Sequence, residues 1–166
     1  SMQRVQPARR VVTEMVEGCL DGRVRAMYVV GENPLLSEPD LHHVVKAIQQ
    51  LDFLVVQDLF MHETAEHAHV FLPAAAFAEK DGTFTNSERR VQRIRQAIEP
   101  PGQARPDWWI ACELARRTAR RLGKTVTGFE YQHPSEIFDE MASPWPSVRA
   151  LSSAPPEGGG LHLDIG

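Results

Sequence analysis

The chain has 166 residues, of which 42% are hydrophobic and 24% charged, with a formal net charge of −4. That length suits one domain with a real core, and the balance is ordinary for a soluble globular protein. A small negative charge argues against non-specific nucleic-acid binding and attraction to an anionic membrane surface. No apolar run reaches the roughly 18 residues of a membrane span.

Ser1 and Met2 read as a tag remnant, and residues 1–9 as a lead-in without the apolar core of a signal peptide. Val11, Val12, Met15, Val16, Cys19 and Leu20 then fall at helical spacing, with Gly22 as a fitting stop. "VRAMYVVG" is a short β-branched run and predicts a central strand ending at Gly31. "ENPLLSEPD" reads as a loop broken by Pro34 and Pro39. Ser37 or Asp40 then caps a helix whose Leu41, Val44, Val45 and Ile48 share one face. "DFLVVQD" predicts a second buried strand. "LFMHETAEHA" predicts a loop with a helical turn, and "HVFLP" a third strand stopped by Pro73. Strands alternating with helices predict parallel pairing through crossovers. The expected fold is therefore α/β: a layered, Rossmann-like fold with a mainly parallel sheet flanked by helices.

"FAEKDGTFTNSERRVQ" follows as a polar loop with a glycine turn. "RRVQRIRQAI" can form a further strand, with Val91, Ile94 and Ile98 partly buried. An amphipathic helix starts at Asp107 and stops before Gly123. "HPSEIFDEMA" predicts one more short helix, capped by Ser135. From Ser143 the composition turns to Pro, Ser and Gly, so 143–166 reads as a tail or linker. The globular part is thus expected over 10–142. Cys19 and Cys112 lie far apart in helical patterns and read as buried free thiols. Without an export signal, a cytoplasmic location is expected. The arginine clusters "ERRVQRIR" and "ARRTARRLG" read as solvated faces.

In a parallel α/β sheet, ligands bind beyond the carboxyl ends of the strands. Three polar segments fall there: "GENP" at 31–34, "QD" at 57–58 and "AEKDGTFTNSERR" at 78–90. No GxGxxG follows a strand and no GxxxxGK[ST] exists, so an ordinary Rossmann or P-loop phosphate site is not expected. The loops instead offer Asp58 and Asp107. A carboxylate matches the paired N–H donors on the Watson–Crick edge of guanine. Lys80 supplies a compact positive charge for a phosphate or a ring carbonyl. Asn33 and Gln57 can each donate and accept. Together these residues suit a guanine nucleotide, although an isolated Asp is more often a surface acid or a helix cap. For Asp107 capping is the ordinary role, and capping does not exclude ligand contact. His62, His67 and His69 could in principle hold Zn²⁺, but no cysteine pair or HExxH accompanies them. Surface histidines are the expected reading. Covalent catalysis is not expected, because neither cysteine has a base near it and Ser87 is no nucleophile elbow.

"MYVVGENPLLSEPD", "LDFLVVQDLFMHETAEHAHVFLPAAAFAEKDGTFTNSERRVQRIRQAI" and "PPGQARPDWWIACELARRTARRLG" together resemble the catalytic subunit of molybdenum or tungsten formate dehydrogenases. Those enzymes belong to the molybdopterin oxidoreductase superfamily, with the periplasmic and assimilatory nitrate reductases. The resemblance covers roughly residues 10–142. It implies a fragment of an oxidoreductase, the α/β domain that grips one guanine end of a bis-molybdopterin guanine dinucleotide. It also implies a [4Fe–4S] cluster and a metal-ligating Cys or selenocysteine in parts of the subunit outside this chain. The expected partners are the remainder of that subunit and electron-transfer subunits, with no nucleic acid and no membrane insertion. Formate oxidation to CO2 would occur elsewhere in the parent enzyme, so no catalytic or metal-ligating residue is expected here. A nitrate reductase parent, or a stand-alone binding module, is the alternative. By matching motifs, Gly31, Glu32, Asn33 and Pro34 form one cofactor loop. Gln57 and Asp58 form the nucleotide-binding pair, Lys80 is the cofactor-contacting lysine, and Asp107 is the later acid. Gly82, Asn86, Glu88, Arg89 and Arg90 match as scaffolding. One departure is "AHVFLP" where the family usually has "ADVVLP". His69 there could alter an internal hydrogen bond.

Overall fold

A computed structural model describes residues 12–37, 40–88, 90–142 and 161–162. The lead-in, Arg89 and most of the tail lie outside the described residues. The chain divides into two compact units, 1–73 and 74–166.

In chain order the first unit holds α1 (Val12–Leu20), β1 (Ala26–Val30), α2 (Pro34–Ser37) and α3 (Leu41–Gln49). β2 (Phe53–Asp58), α4 (Glu63–Glu66) and β3 (Val70–Pro73) follow. The strands form a parallel three-stranded sheet in the order β1-β2-β3. The register runs from Ala26 opposite Phe53 to Val30 opposite Gln57, and from Val55 opposite Val70 to Asp58 opposite Pro73. The α/β layered class expected from the alternating pattern is what forms. The order of the strands is not as expected: β2 is central and "AMYVV" lies at the end of the order. Both runs are apolar and β-branched, so composition cannot say which one has two neighbours. Burial shows the difference, since Leu54 and Val56 are fully buried while Tyr28 and Val30 stay exposed.

One face of the sheet carries the core. Val29, Leu54 and Val56 join Val16 and Cys19 of α1, and Val44, Ala47 and Ile48 of α3. The buried stripe of α3 is therefore 44, 47 and 48. Leu41, expected in that stripe, is 48% exposed because it is the first helical residue, just after the cap. Of the two caps expected, Asp40 is the one used: its carboxylate accepts the His43 N–H at 3.1 Å. "ENPLLSEPD" is not all loop, because Pro34 opens the short helix α2. A proline is favoured there, since its fixed φ suits the first helical position and its missing N–H would have no intrahelical partner. Gly22 and Gly31 take φ of 77° and 63°, the left-handed values that glycine tolerates at these stops.

The second unit holds a 3₁₀ turn (Phe77–Glu79), β4 (Gly82–Thr85), β5 (Arg90–Ile94), α5 (Asp107–Arg121), α6 (Pro134–Ala142) and β6 (Leu161–His162). β4 and β5 pair antiparallel, Gly82 opposite Ile94 and Thr85 opposite Val91. The expected polar loop thus contains a strand. Gly82 lies in it rather than in a turn, facing the Ile94 side chain. Thr-Phe-Thr has strong β propensity that its polarity concealed. Val91 and Ile94 are half-buried as expected, but Ile98 lies beyond β5 and is exposed. Leu161 and His162, read as tail, pair with Val91 and Arg90. α6 begins one residue before Ser135, and the His133 Nδ1 accepts the Ser135 N–H at 3.2 Å in place of a serine cap.

Cys19 and Cys112 are buried and unpaired. Burial pushes both thiols up in pKa, with Asp21 adding to the effect at Cys19. A disulfide reagent should therefore react slowly with the folded chain and quickly in urea. Rapid release of two equivalents of chromophore without denaturant would contradict the burial.

Candidate functional site

The carboxyl ends of β1 and β2 lie side by side, joined where the Gly31 N–H donates to the Gln57 carbonyl at 2.9 Å. Gly31 has open space around its α-carbon, so its positive φ rather than crowding calls for glycine. Glu32 is exposed. The Asn33 carbonyl accepts the Leu36 and Ser37 amides, which closes the first turn of α2 after Pro34. The Asn33 side chain reaches across to α4. Its Nδ2 donates to Glu63 Oε2 at 2.8 Å, and its Oδ1 accepts from Thr64 Oγ1 at 2.7 Å. Thr64 Oγ1 in turn accepts the Leu35 N–H at 3.1 Å. That amide is one of the donors a helix start leaves without an intrahelical partner. The Glu63 carboxyl is held below the ordinary range by its own backbone N–H first and then by the Asn33 amide. It stays charged at neutral pH, and the bracket weakens only as pH falls through that lowered value.

Gln57 is 2% exposed, and its Oε1 accepts from the Tyr28 hydroxyl. Asp58 ends β2. Its Oδ1 accepts the Leu59 N–H at 2.6 Å, and its Oδ2 lies 3.3 Å from His62 Nε2. Thus 31–34 and 57–58 adjoin at the ends of β1 and β2, while the third polar segment, 78–90, belongs to the second unit.

In the second unit, Ala74 bridges Arg105, and the Ala75 N–H donates to the Arg105 carbonyl at 2.9 Å. That tie fixes the approach to α5. Pro106 occupies the N-cap position, so Asp107 is the first helical residue rather than the cap expected. Its carboxylate takes the Lys80 ammonium instead. A carboxylate suits the positive end of the helix dipole equally well from that position. Lys80 and Asp107, 27 residues apart, are therefore direct partners. Among the scaffolding matches, Gly82 opens β4, Asn86 and Glu88 fall in the β4–β5 connection, and Arg90 opens β5.

The histidines have separate roles. His67 is exposed, and the His69 Nδ1 accepts the Leu54 N–H at 3.0 Å. The residue that departs from the family pattern thus makes an internal hydrogen bond. His62, expected at the surface, is largely buried and caps α4. Among the described residues no group of three or more His, Cys, Asp or Glu side chains could hold a metal ion. None of the described helices is long and apolar enough to cross a membrane. Tyr28, His62, Glu63 and Thr64 are the site's structural partners that sequence reasoning missed. The one signal available was His62 placed directly before the helical turn, where a capping side chain belongs.

A family model described as "Molybdopterin oxidoreductase" matches residues 4–117. The chain is 51% identical over 130 residues to the F420-dependent formate dehydrogenase 2 subunit alpha of Methanococcus maripaludis. That match takes in 78% of this chain and 18% of the relative. It is 48% identical over 139 residues to the F420-dependent formate dehydrogenase subunit alpha of Methanocaldococcus jannaschii, covering 84% of this chain and 20% of that protein. The chain thus spans about a fifth of the length of these relatives. Acetylene hydratase from Pelobacter acetylenicus shares the fold, with a TM-score of 0.66 at 22% identity, over 83% of this chain and 20% of that one.

Proposed function

The chain belongs to the molybdopterin oxidoreductase family, and we propose that it is the nucleotide-gripping part of a formate dehydrogenase catalytic subunit. In this reading residues 10–142 hold the guanine end of a bis-molybdopterin guanine dinucleotide, and the larger protein oxidises formate to CO2. The observation that carries it is Asp58. Its carboxylate stands at the carboxyl end of the central parallel strand, where ligands of such sheets bind. A carboxylate has about four lone-pair sites. Leu59 and His62 approach one oxygen each, which leaves acceptor capacity for a paired donor. That donor set fits the N1–H and N2–H of guanine.

Gly31, Glu32, Asn33 and Pro34 would form the adjoining cofactor loop, with Gln57 beside it. Lys80 would meet a phosphate, exchanging part of its contact with Asp107. When bound, the cofactor supplies the redox chemistry at its molybdenum or tungsten ion. The residues of this chain bind and orient its far end. A [4Fe–4S] cluster and electron-transfer partners are assigned to the larger protein. The two unpaired thiols support a reducing, cytoplasmic setting.

Titrating the chain with GDP and with ADP, followed by amide chemical shifts, tests this reading. GDP should shift Gly31, Asn33 and Asp58 at lower concentration than ADP. Asp58→Ala should cost GDP binding about 1.5–3 kcal/mol, the value of a hydrogen bond to a charged group. Equal responses to both nucleotides, or shifts mapping elsewhere, would sink the assignment.

A further inference from the structure

We infer that His62 is a positioning residue that sets the Asp58 carboxylate, and so governs the selectivity for guanine; this rests on the function proposed above. His62 stands immediately before α4, and its Nδ1 accepts the Ala65 N–H at 3.4 Å. A neutral imidazole has one donor nitrogen and one acceptor nitrogen. With Nδ1 accepting, the proton sits on Nε2. That nitrogen faces Asp58 Oδ2 at 3.3 Å, and the two side chains are only 14% and 17% exposed.

The His62 Nε2 is also the single buried side-chain polar atom, among the described residues, without a well-formed hydrogen bond. Such an atom costs free energy unless something completes it. The nearest candidate is the Asp58 carboxylate, whose other oxygen is already fixed by the Leu59 N–H at 2.6 Å. With the Leu59 N–H on one oxygen and the His62 Nε2–H within reach of the other, the plane of the carboxylate is set and its remaining lone pairs turn outward. A guanine edge needs that plane, because both of its donors must be met at once. Adenine does not present the paired donors, so its binding gains little from a fixed plane. At 3.3 Å the two atoms are within hydrogen-bonding distance, and a turn of the imidazole aims the Nε2–H at Oδ2.

The sequence run His62, His67 and His69 suggests a cluster, but the other two rings do not share this task. His69 is held by the Leu54 amide, and His67 is exposed.

Two measurements on the chain test the inference. Long-range ¹⁵N spectra, at a pH where the ring is neutral, should show the Nε2–H tautomer of His62; the Nδ1–H tautomer would overturn it. GDP and ADP titrations then compare His62→Ser and His62→Gln. Serine keeps the cap on α4 but cannot reach Asp58, whereas glutamine restores an N–H donor of comparable length. His62→Ser should weaken GDP binding about tenfold, as expected for a lost charge-assisted bond, with ADP nearly unchanged. His62→Gln should recover most of the loss. If His62→Ser keeps the wild-type preference while Asp58→Asn abolishes it, the guanine site stands and the role of His62 falls. If the wild-type chain shows no preference for GDP, the guanine site falls and takes this inference with it.

Discussion

Replacing Leu54 with alanine should destabilise the first unit by about 2–5 kcal/mol, the range for a large-to-small change at a well-packed position. Leu54 is fully buried as the second residue of β2, the central strand. It lies opposite Met27 of β1, and its face meets Val44, Ala47 and Ile48 of α3. Neighbours held on two strands and a helix cannot all move to fill the space. With a urea m-value of about 2 kcal/mol/M, the midpoint should fall by roughly 1–2.5 M. Leu41→Ala provides the contrast. Leu41 is 48% exposed, so its removal should cost less than about 1 kcal/mol. Similar losses at both positions would mean that the core lies elsewhere than β2 and α3.

That pair of leucines also shows what the sequence could reveal of the fold. Apolar periodicity identified α3, and the β-branched run identified β2, because both signals are local. Which strand is central is a long-range property, as is the rotation of a helical stripe against its sheet. Leu41 satisfies helical spacing as well as Val44 does, and only the packing partner tells them apart. The missed strand β4 is a different case. Its residues Gly82 to Thr85 are polar enough to read as loop, and pairing with β5 supplies the order that their composition does not announce.

The candidate site divides in the same way. Asp58, Lys80 and Asp107 were legible as charged groups at element ends. Their immediate partners were legible only in part. The bond from Tyr28 to Gln57 spans 29 residues, and the bond from Thr64 to Asn33 spans 31. Nothing in either local sequence marks the other end. Asp107 was readable as a helix-start acid, but its choice of Lys80 depended on the bridge between Ala74 and Arg105.

Thr64→Val tests the most consequential of these unread contacts. The two side chains have nearly the same shape, so the exchange removes a hydroxyl and leaves little cavity. Thr64 is fully buried, and its Oγ1 both donates to Asn33 and accepts from the Leu35 N–H. Valine leaves the Leu35 amide buried without a partner, and it leaves Asn33 Oδ1 short of a donor. Each unsatisfied buried group costs about 1–3 kcal/mol, so a total on the order of 2–4 kcal/mol is expected. Asn33 is only partly buried and can recruit water, which puts most of that cost on Leu35. Hydrogen exchange should therefore quicken most at the Leu35 amide, and the urea midpoint should fall. Thr64→Ser keeps the hydroxyl and loses one methyl group, about 0.8 kcal/mol, so it should retain protection at Leu35. The effect also reaches the proposed cofactor loop, because Asn33 ties that loop to α4. A loosened loop must be ordered when ligand binds, which lowers affinity without any lost ligand contact. GDP binding to Thr64→Val should weaken accordingly, while Thr64→Ser stays near wild type. If valine leaves both Leu35 protection and GDP binding intact, the loop is held by its own backbone turn and not by the bracket to α4.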